Sequence, residues 1–124
     1  MAEIKLHDGK QIGDYQKPYI VAELNTSHFG NLDVAMQMVD VAKSIGCDCV
    51  KFQSWSANSL YSKNYYKDNP IAKRMFDKFS FSESELKELS AYCVASEIAF
   101  ASTPYAKAEV DFLIEQCEDR KSVV

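Results

Sequence analysis

Residues 45–53, Ile45-Gly46-Cys47-Asp48-Cys49-Val50-Lys51-Phe52-Gln53, carry the reading that decides the fold. Gly46 supplies a helix stop, and Cys49 to Gln53 follows almost at once as a short strand with polar side chains in it and at its end. So close a join is the habit of helix-to-strand connections in α/β units. Upstream, Tyr19-Ile20-Val21-Ala22-Glu23 reads the same way, a nearly continuous apolar run of the kind covered on both faces. Downstream, Ile98 to Thr103 gives a third such strand. Each run is followed by a polar cluster and then a helical pattern, so the chain reads as a repeated β/α unit with its chemistry at the strand ends.

The helices between the strands follow from spacing and caps. Val34, Met38, Val41 and Ile45 recur at steps of three and four and predict an amphipathic helix with that stripe buried. Ser82-Glu83-Ser84-Glu85 matches a capping box, so a helix is expected from about Glu83 to Ala95, burying Leu86, Leu89, Cys93 and Val94. Pro104 fits the first turn of a last helix with Ala106, Val110, Leu113 and Ile114 as its apolar positions. The long stretch from Ser54 to Phe81 is read as an insertion with a short helix after Pro70. Before all of this, alternating residues flank Asp8-Gly9, a favoured two-residue turn, and predict a small β-hairpin over residues 3–13 that covers the repeat. A charged tail, Glu118 to Val124, ends the chain.

The fold class expected is therefore α/β: a partial (β/α)₈ (TIM) barrel of about three β/α units, from about Tyr19, behind an N-terminal hairpin, all in one domain over residues 1–124. A complete barrel takes roughly 250 residues, so the reading is of an N-terminal portion whose third strand keeps an open edge. The 14 basic residues against 18 acidic ones, a net charge of −4, are not gathered into blocks and leave no electrostatic footprint for nucleic acid. No apolar stretch approaches a membrane span, and the start lacks a signal-peptide core, so a cytoplasmic chain without membrane partners is expected. Cys47, Cys49, Cys93 and Cys117 form no C-x-x-C pair and are read as reduced, structural thiols.

Strand side chains alternate with period two, so the residues sharing a face can be named. Tyr19, Val21 and Glu23 share one, as do Cys49, Lys51 and Gln53, and Ala99, Ala101 and Thr103. Ile20, Ala22, Val50, Phe52 and Phe100 fall in the opposite phase and suit packing against helices. If the first set faces inward, a carboxylate, an ammonium, an amide and a hydroxyl meet at one mouth, where barrel active sites lie. Lys51, with apolar neighbours on both sides, requires an anion, either Glu23 or a ligand phosphate or carboxylate. An ion pair at a sheet end, without chemistry, satisfies the same pattern. His28, in the first strand-to-helix loop, is placed to touch a ligand, but with His7 as the only other histidine it makes no metal site. Tyr61, Tyr65, Tyr66 and Phe76 either pack the insertion onto the rim, the preferred reading, or line a sugar pocket.

Taken in order, Val21-Ala22-Glu23, Ser27-His28-Phe29-Gly30-Asn31, Ile45 to Gln53 and Ala101-Ser102-Thr103-Pro104-Tyr105 resemble the N-terminal part of the sialic acid synthases, the family of N-acetylneuraminate, legionaminate and pseudaminate synthases. The resemblance implies a (β/α)₈ barrel that condenses phosphoenolpyruvate with an N-acetylated amino sugar, releasing phosphate and forming a nine-carbon 2-keto sugar acid. It implies Glu23 at the reacting centre, Lys51 on the phosphoenolpyruvate anion, Thr103 with Ser102 of the Ser-Thr-Pro motif in the same site, and Gln53 facing the sugar, with His28 a further substrate contact. It also implies a divalent metal, manganese or magnesium, whose ligands lie on later strands beyond Val124, and a homodimer. The family's Gly-x-Asn-His is here Asn25-Thr26-Ser27-His28, which replaces a glycine by Asn25 and an asparagine by Ser27. Two other readings stand beside it. One is a non-catalytic chain that associates with itself or with a full-length synthase. The other, remote, is a barrel aldolase with Lys51 as a Schiff-base lysine.

Overall fold

The computed structural model describes residues 2–117. The chain opens with strands β1 (Glu3–Lys5) and β2 (Gln11–Gly13), antiparallel with Ile4 opposite Ile12. The turn between them is longer than the two-residue Asp-Gly form. The Leu6 amide donates to Lys10 O and the Gly9 amide to Leu6 O, so His7, Asp8 and Gly9 make a three-residue turn with Gly9 at φ +86°. Asp8 Oδ1 accepts from the Lys10 amide, the local bond that favours aspartate there.

Three strands then pair in sequence order, β3 (Val21–Asn25), β4 (Cys49–Ser54) and β5 (Ala99–Pro104), all parallel. Between β3 and β4 runs α1 (Leu32–Ser44); between β4 and β5 lie α2 (Ala57–Leu60), α3 (Lys63–Asp68), α4 (Pro70–Phe79) and α5 (Glu83–Ala95); α6 (Lys107–Cys117) follows β5. The insertion thus holds three short helices rather than one. Ser56 and Ser62 cap α2 and α3, and Pro70 begins α4 as expected. Pro104 closes β5 opposite Ser54 instead of opening the last helix, a position where a strand loses no ladder bond it needs.

The period-two phase places Val50, Phe52 and Phe100 in the main core with Ala35, Val39 and Ala42 of α1, Leu86, Leu89 and Cys93 of α5 and Leu113 of α6. The α1 face differs from the expected stripe. Val41 is 59% and Ile45 73% exposed, while Ala35, Val39 and Ala42 lie against the sheet. Small residues let the helix approach the large Phe52, and Val34, Met38, Val41 and Ile45 instead line a surface groove with Ala22 and Leu24 of β3. On α5, likewise, Val94 is exposed and Ser90 is buried in its place. Strand β3 is not covered on both faces among the described residues: Val21 is nearly half exposed, as is Ile20 just before the strand. The thiols of Cys49 and Cys93 are buried and unbridged, pushed up to about 11 and about 12 by loss of water, and Cys117 is buried too.

Helix α1 ends in a Schellman motif, with Gly46 N–H on Lys43 O and Cys47 N–H on Ala42 O, and with Gly46 at φ +90°. Helix α5 ends the same way on Val94 O and Cys93 O, but Glu97 occupies the left-handed position at φ +58°. Asp48, in the α1-to-β4 turn, ties the amino-terminal end of the sheet together. Its Oδ2 accepts from the Ile20 amide at 2.7 Å and its Oδ1 from Lys10 Nζ at 2.6 Å, while its backbone carbonyl takes the Ala99 amide. The hairpin is held by that contact and by Tyr19 OH donating to Asp8 Oδ2 at 2.8 Å. The charged tail from Glu118 to Val124 lies outside the described residues.

Candidate active site

The register brings four of the six candidate residues onto one face. Glu23 lies opposite Lys51 and Lys51 opposite Ala101 at mid-strand, and Gln53 lies opposite Thr103 near the carboxyl ends of their strands. Lys51 Nζ stands 3.4 Å from Glu23 Oε2, and both side chains are partly exposed, 38% and 47%, so the ammonium has its anion and still faces open space. Glu23 Oε1 accepts the Asn25 amide at 3.2 Å, which leaves Oε2 turned to the lysine. This pairing slips between Glu23 and Asn25, where Asn25 sits opposite Phe52 at φ +49°. Asparagine is among the few side chains that tolerate that left-handed region, so Asn25 holds the turn that a glycine makes most easily.

Ser102 and His28 are not part of that group. Ser102 falls in the opposite phase, fully buried, with its hydroxyl 2.5 Å from Ser54 Oγ on the helix side of the sheet. His28 is 2% exposed, stacked on Phe81 with ring centres 4.0 Å apart, and its Nδ1 accepts the Gly30 amide at 2.9 Å. Burial holds its pKa below the usual histidine value, a backbone hydrogen bond to Asn25 and the charge of Glu85 opposing, so the ring is neutral near pH 7 with its proton on Nε2. It pins the β3–α1 loop against Phe81 in the connection between α4 and α5. Gly30 beside it has φ +75°, and a Cβ there would lie 1.9 Å from the Lys78 carbonyl oxygen, so only glycine lets the loop meet the end of α4.

Two residues outside the expected set matter, one to the site and one to the sheet that carries it. Trp55, just past β4, is 7% exposed and donates its indole N–H to Gln53 Oε1 at 3.2 Å. It also meets Phe76 edge to face, and Phe76 in turn stacks with Tyr61, which stacks on Tyr65 at 4.4 Å. Tyr66, buried, donates its hydroxyl to the Ala57 carbonyl. The aromatic insertion is thereby a packed cluster joined to Gln53 through Trp55. The only signal in the sequence was the position of a large indole two residues after an inward-facing amide. Asp48 is the other, at the far end of the sheet, and nothing in the residue pattern marked it.

The described residues hold no group of three His, Cys, Asp or Glu side chains able to grip a metal ion. By themselves they do not fit the implied manganese or magnesium site. No helix among them is long and apolar enough to cross a membrane.

Consecutive parallel strands with helices between them, and an ion pair, an amide and a hydroxyl sharing one face from mid-strand to the carboxyl ends, define an α/β protein of the class whose ligand sites lie beyond those strand ends. Within that class the chain belongs to the NeuB family, whose model matches residues 38–120. It is 34% identical over 115 residues to the uncharacterized protein MJ1065 of Methanocaldococcus jannaschii, covering 91% of this chain and 32% of that one. It is 31% identical over 119 residues to the N,N'-diacetyllegionaminic acid synthase of Legionella pneumophila, covering 89% and 33%. The crystal structure of N-acetylneuraminic acid (sialic acid) synthetase from Leptospira borgpetersenii, a complex with citrate, superposes with a TM-score of 0.78 at 25% identity, over 92% of this chain and 38% of that one. The chain thus spans about a third of the length of the curated relatives it matches.

Proposed function

We propose that this chain forms the first part of a (β/α)₈ barrel of the sialic acid synthase type, and that its strand ends bind phosphoenolpyruvate and an N-acetylated amino sugar for condensation to a nine-carbon 2-keto sugar acid. The observation that carries the reading is the in-register pair Glu23 and Lys51 with Gln53 and Thr103 beside it, in a chain whose relatives include synthases of legionaminic and N-acetylneuraminic acids. Phosphoenolpyruvate brings a carboxylate and a phosphate. The half-exposed Lys51 ammonium meets one of them without being dragged from a dry core, and the Thr103 hydroxyl donates to it. In the reaction the methylene carbon of phosphoenolpyruvate bonds to the sugar's aldehyde carbon. Water adds to the enol carbon, and phosphate leaves to give the ketone. Glu23, adjoining both the anion and the sugar side, orients the sugar or accepts a proton from the attacking water.

The test is calorimetric titration of the chain with phosphoenolpyruvate beside Lys51→Ala. Binding at a single site, weakened at least about tenfold in the variant as the loss of one charge-assisted bond requires, supports the reading. Equal binding by both proteins, or none by a well-folded wild type, overturns it. A second reading, association with another polypeptide through the sheet, is favoured by the uncovered Val21 on β3 and Ile20 just before it, and sedimentation at rising concentration separates the two.

A further inference from the structure

We infer that Trp55 is a positioning residue that fixes the amide of Gln53 so that its NH₂ group, and not its carbonyl, faces the ligand. The inference rests on the sugar-binding reading above and names what the sugar must offer. An indole N–H only donates, so the Gln53 atom 3.2 Å from it is the carbonyl oxygen. That bond breaks the near-equivalence of the two ends of a glutamine amide. With its oxygen held by the indole, the amide turns its Nε2 hydrogens away from Trp55, and Gln53 itself lies in phase with Lys51 and opposite Thr103. A site built this way presents donors and selects an acceptor, and the strongest neutral acceptor on an N-acetylated amino sugar is the acetamido carbonyl. Trp55 is itself held: it is almost wholly buried and rests edge to face on Phe76, which packs against Tyr61. The aromatic insertion acts on recognition at one remove, by keeping the indole where it locks the amide.

The chain has one tryptophan, so its indole N–H gives one unambiguous resonance. In the ligand-free protein, Gln53→Leu is expected to move that resonance and speed its exchange with water. An unmoved resonance overturns the inference before any ligand is added. Trp55→Phe keeps an aromatic ring beside Phe76 and removes the donor together with part of the indole's volume, which the unchanged phosphoenolpyruvate binding controls for. Wild type is expected to bind N-acetylmannosamine more tightly than mannose, and Trp55→Phe to weaken the acetylated sugar about tenfold, one hydrogen bond's worth, while phosphoenolpyruvate binds both proteins alike. A preference for the acetylated sugar that survives in Trp55→Phe overturns the positioning role and leaves the proposed function standing. A wild type that binds neither sugar nor phosphoenolpyruvate overturns the function itself, and the inference with it.

Discussion

Replacing Asp48 separates what holds this fold from what equips it for chemistry. The carboxylate accepts the Ile20 amide at 2.7 Å and Lys10 Nζ at 2.6 Å, and its side chain is only 14% exposed, whereas that of Lys10 is 50% exposed. A charge-assisted bond to a backbone amide contributes about 1.5–3 kcal/mol. The half-solvated pair with Lys10 adds no more than about 0.5–1 kcal/mol. Asp48→Ala is therefore expected to cost about 2–4 kcal/mol, and Asp48→Asn, which can still accept from Ile20, about 1 kcal/mol. The Ile20 amide, and after it Lys10, holds the Asp48 carboxyl below the ordinary aspartate value. A depressed carboxyl contributes stability that is present above its unfolded value, about 3.9, and is lost as pH falls through the folded one. Urea unfolding followed by the single tryptophan should show the full difference between wild type and Asp48→Ala at pH 7 and at pH 5, and a smaller one near pH 3. His28 loses stability on acidification too, since its neutral ring must charge, but that contribution is common to both proteins and cancels in the difference. A cost under about 0.5 kcal/mol, or one that does not shrink at low pH, would refute the reasoning.

Glu97 stands at a left-handed helix end where Gly46 serves the corresponding position of α1, and its charge sits at the negative end of the helix. Glu97→Gly should stabilise the protein by about 0.5–1 kcal/mol, raising Tm by a few degrees, with Glu97→Ala giving no such gain; a Tm lowered by glycine would contradict the cap geometry. The rotated face of α1 is tested by a pair of truncations. Val39→Ala, at 0% exposure, should cost about 2 kcal/mol in denaturant unfolding, and Val41→Ala, at 59%, less than about 0.5 kcal/mol, whereas comparable costs would return the expected stripe to the core.

Much of the architecture was legible because strand alternation and capping chemistry are local. The phase of Glu23, Lys51, Gln53 and Thr103 follows from counting by two, and Ser82 with Glu85 marks the start of α5 to the residue. The face of α1 was not legible, since Val34, Met38, Val41 and Ile45 make the more apolar stripe. What decides is the size of Phe52 across the interface, which favours Ala35, Val39 and Ala42. Helices α2 and α3 were missed because four- and six-residue helices carry too little periodicity, and only their serine caps betray them. Ser102 and His28 lie in motifs that pointed to a ligand, yet alternation puts Ser102 on the helix side and Phe81 closes over His28. Asp48 acts through partners distant in sequence, which no local pattern declares, and Trp55 is marked only by its spacing of two from Gln53.

The most direct test of the central claim is to map phosphoenolpyruvate onto the protein by following backbone amide resonances through a titration. The account predicts that the largest shifts fall at Glu23, Lys51, Gln53 and Thr103, around the carboxyl ends of β3, β4 and β5, and vanish in Lys51→Ala. Shifts concentrated instead around Asp8, Lys10 and Asp48 at the amino-terminal end of the sheet, or unchanged by Lys51→Ala, would contradict it.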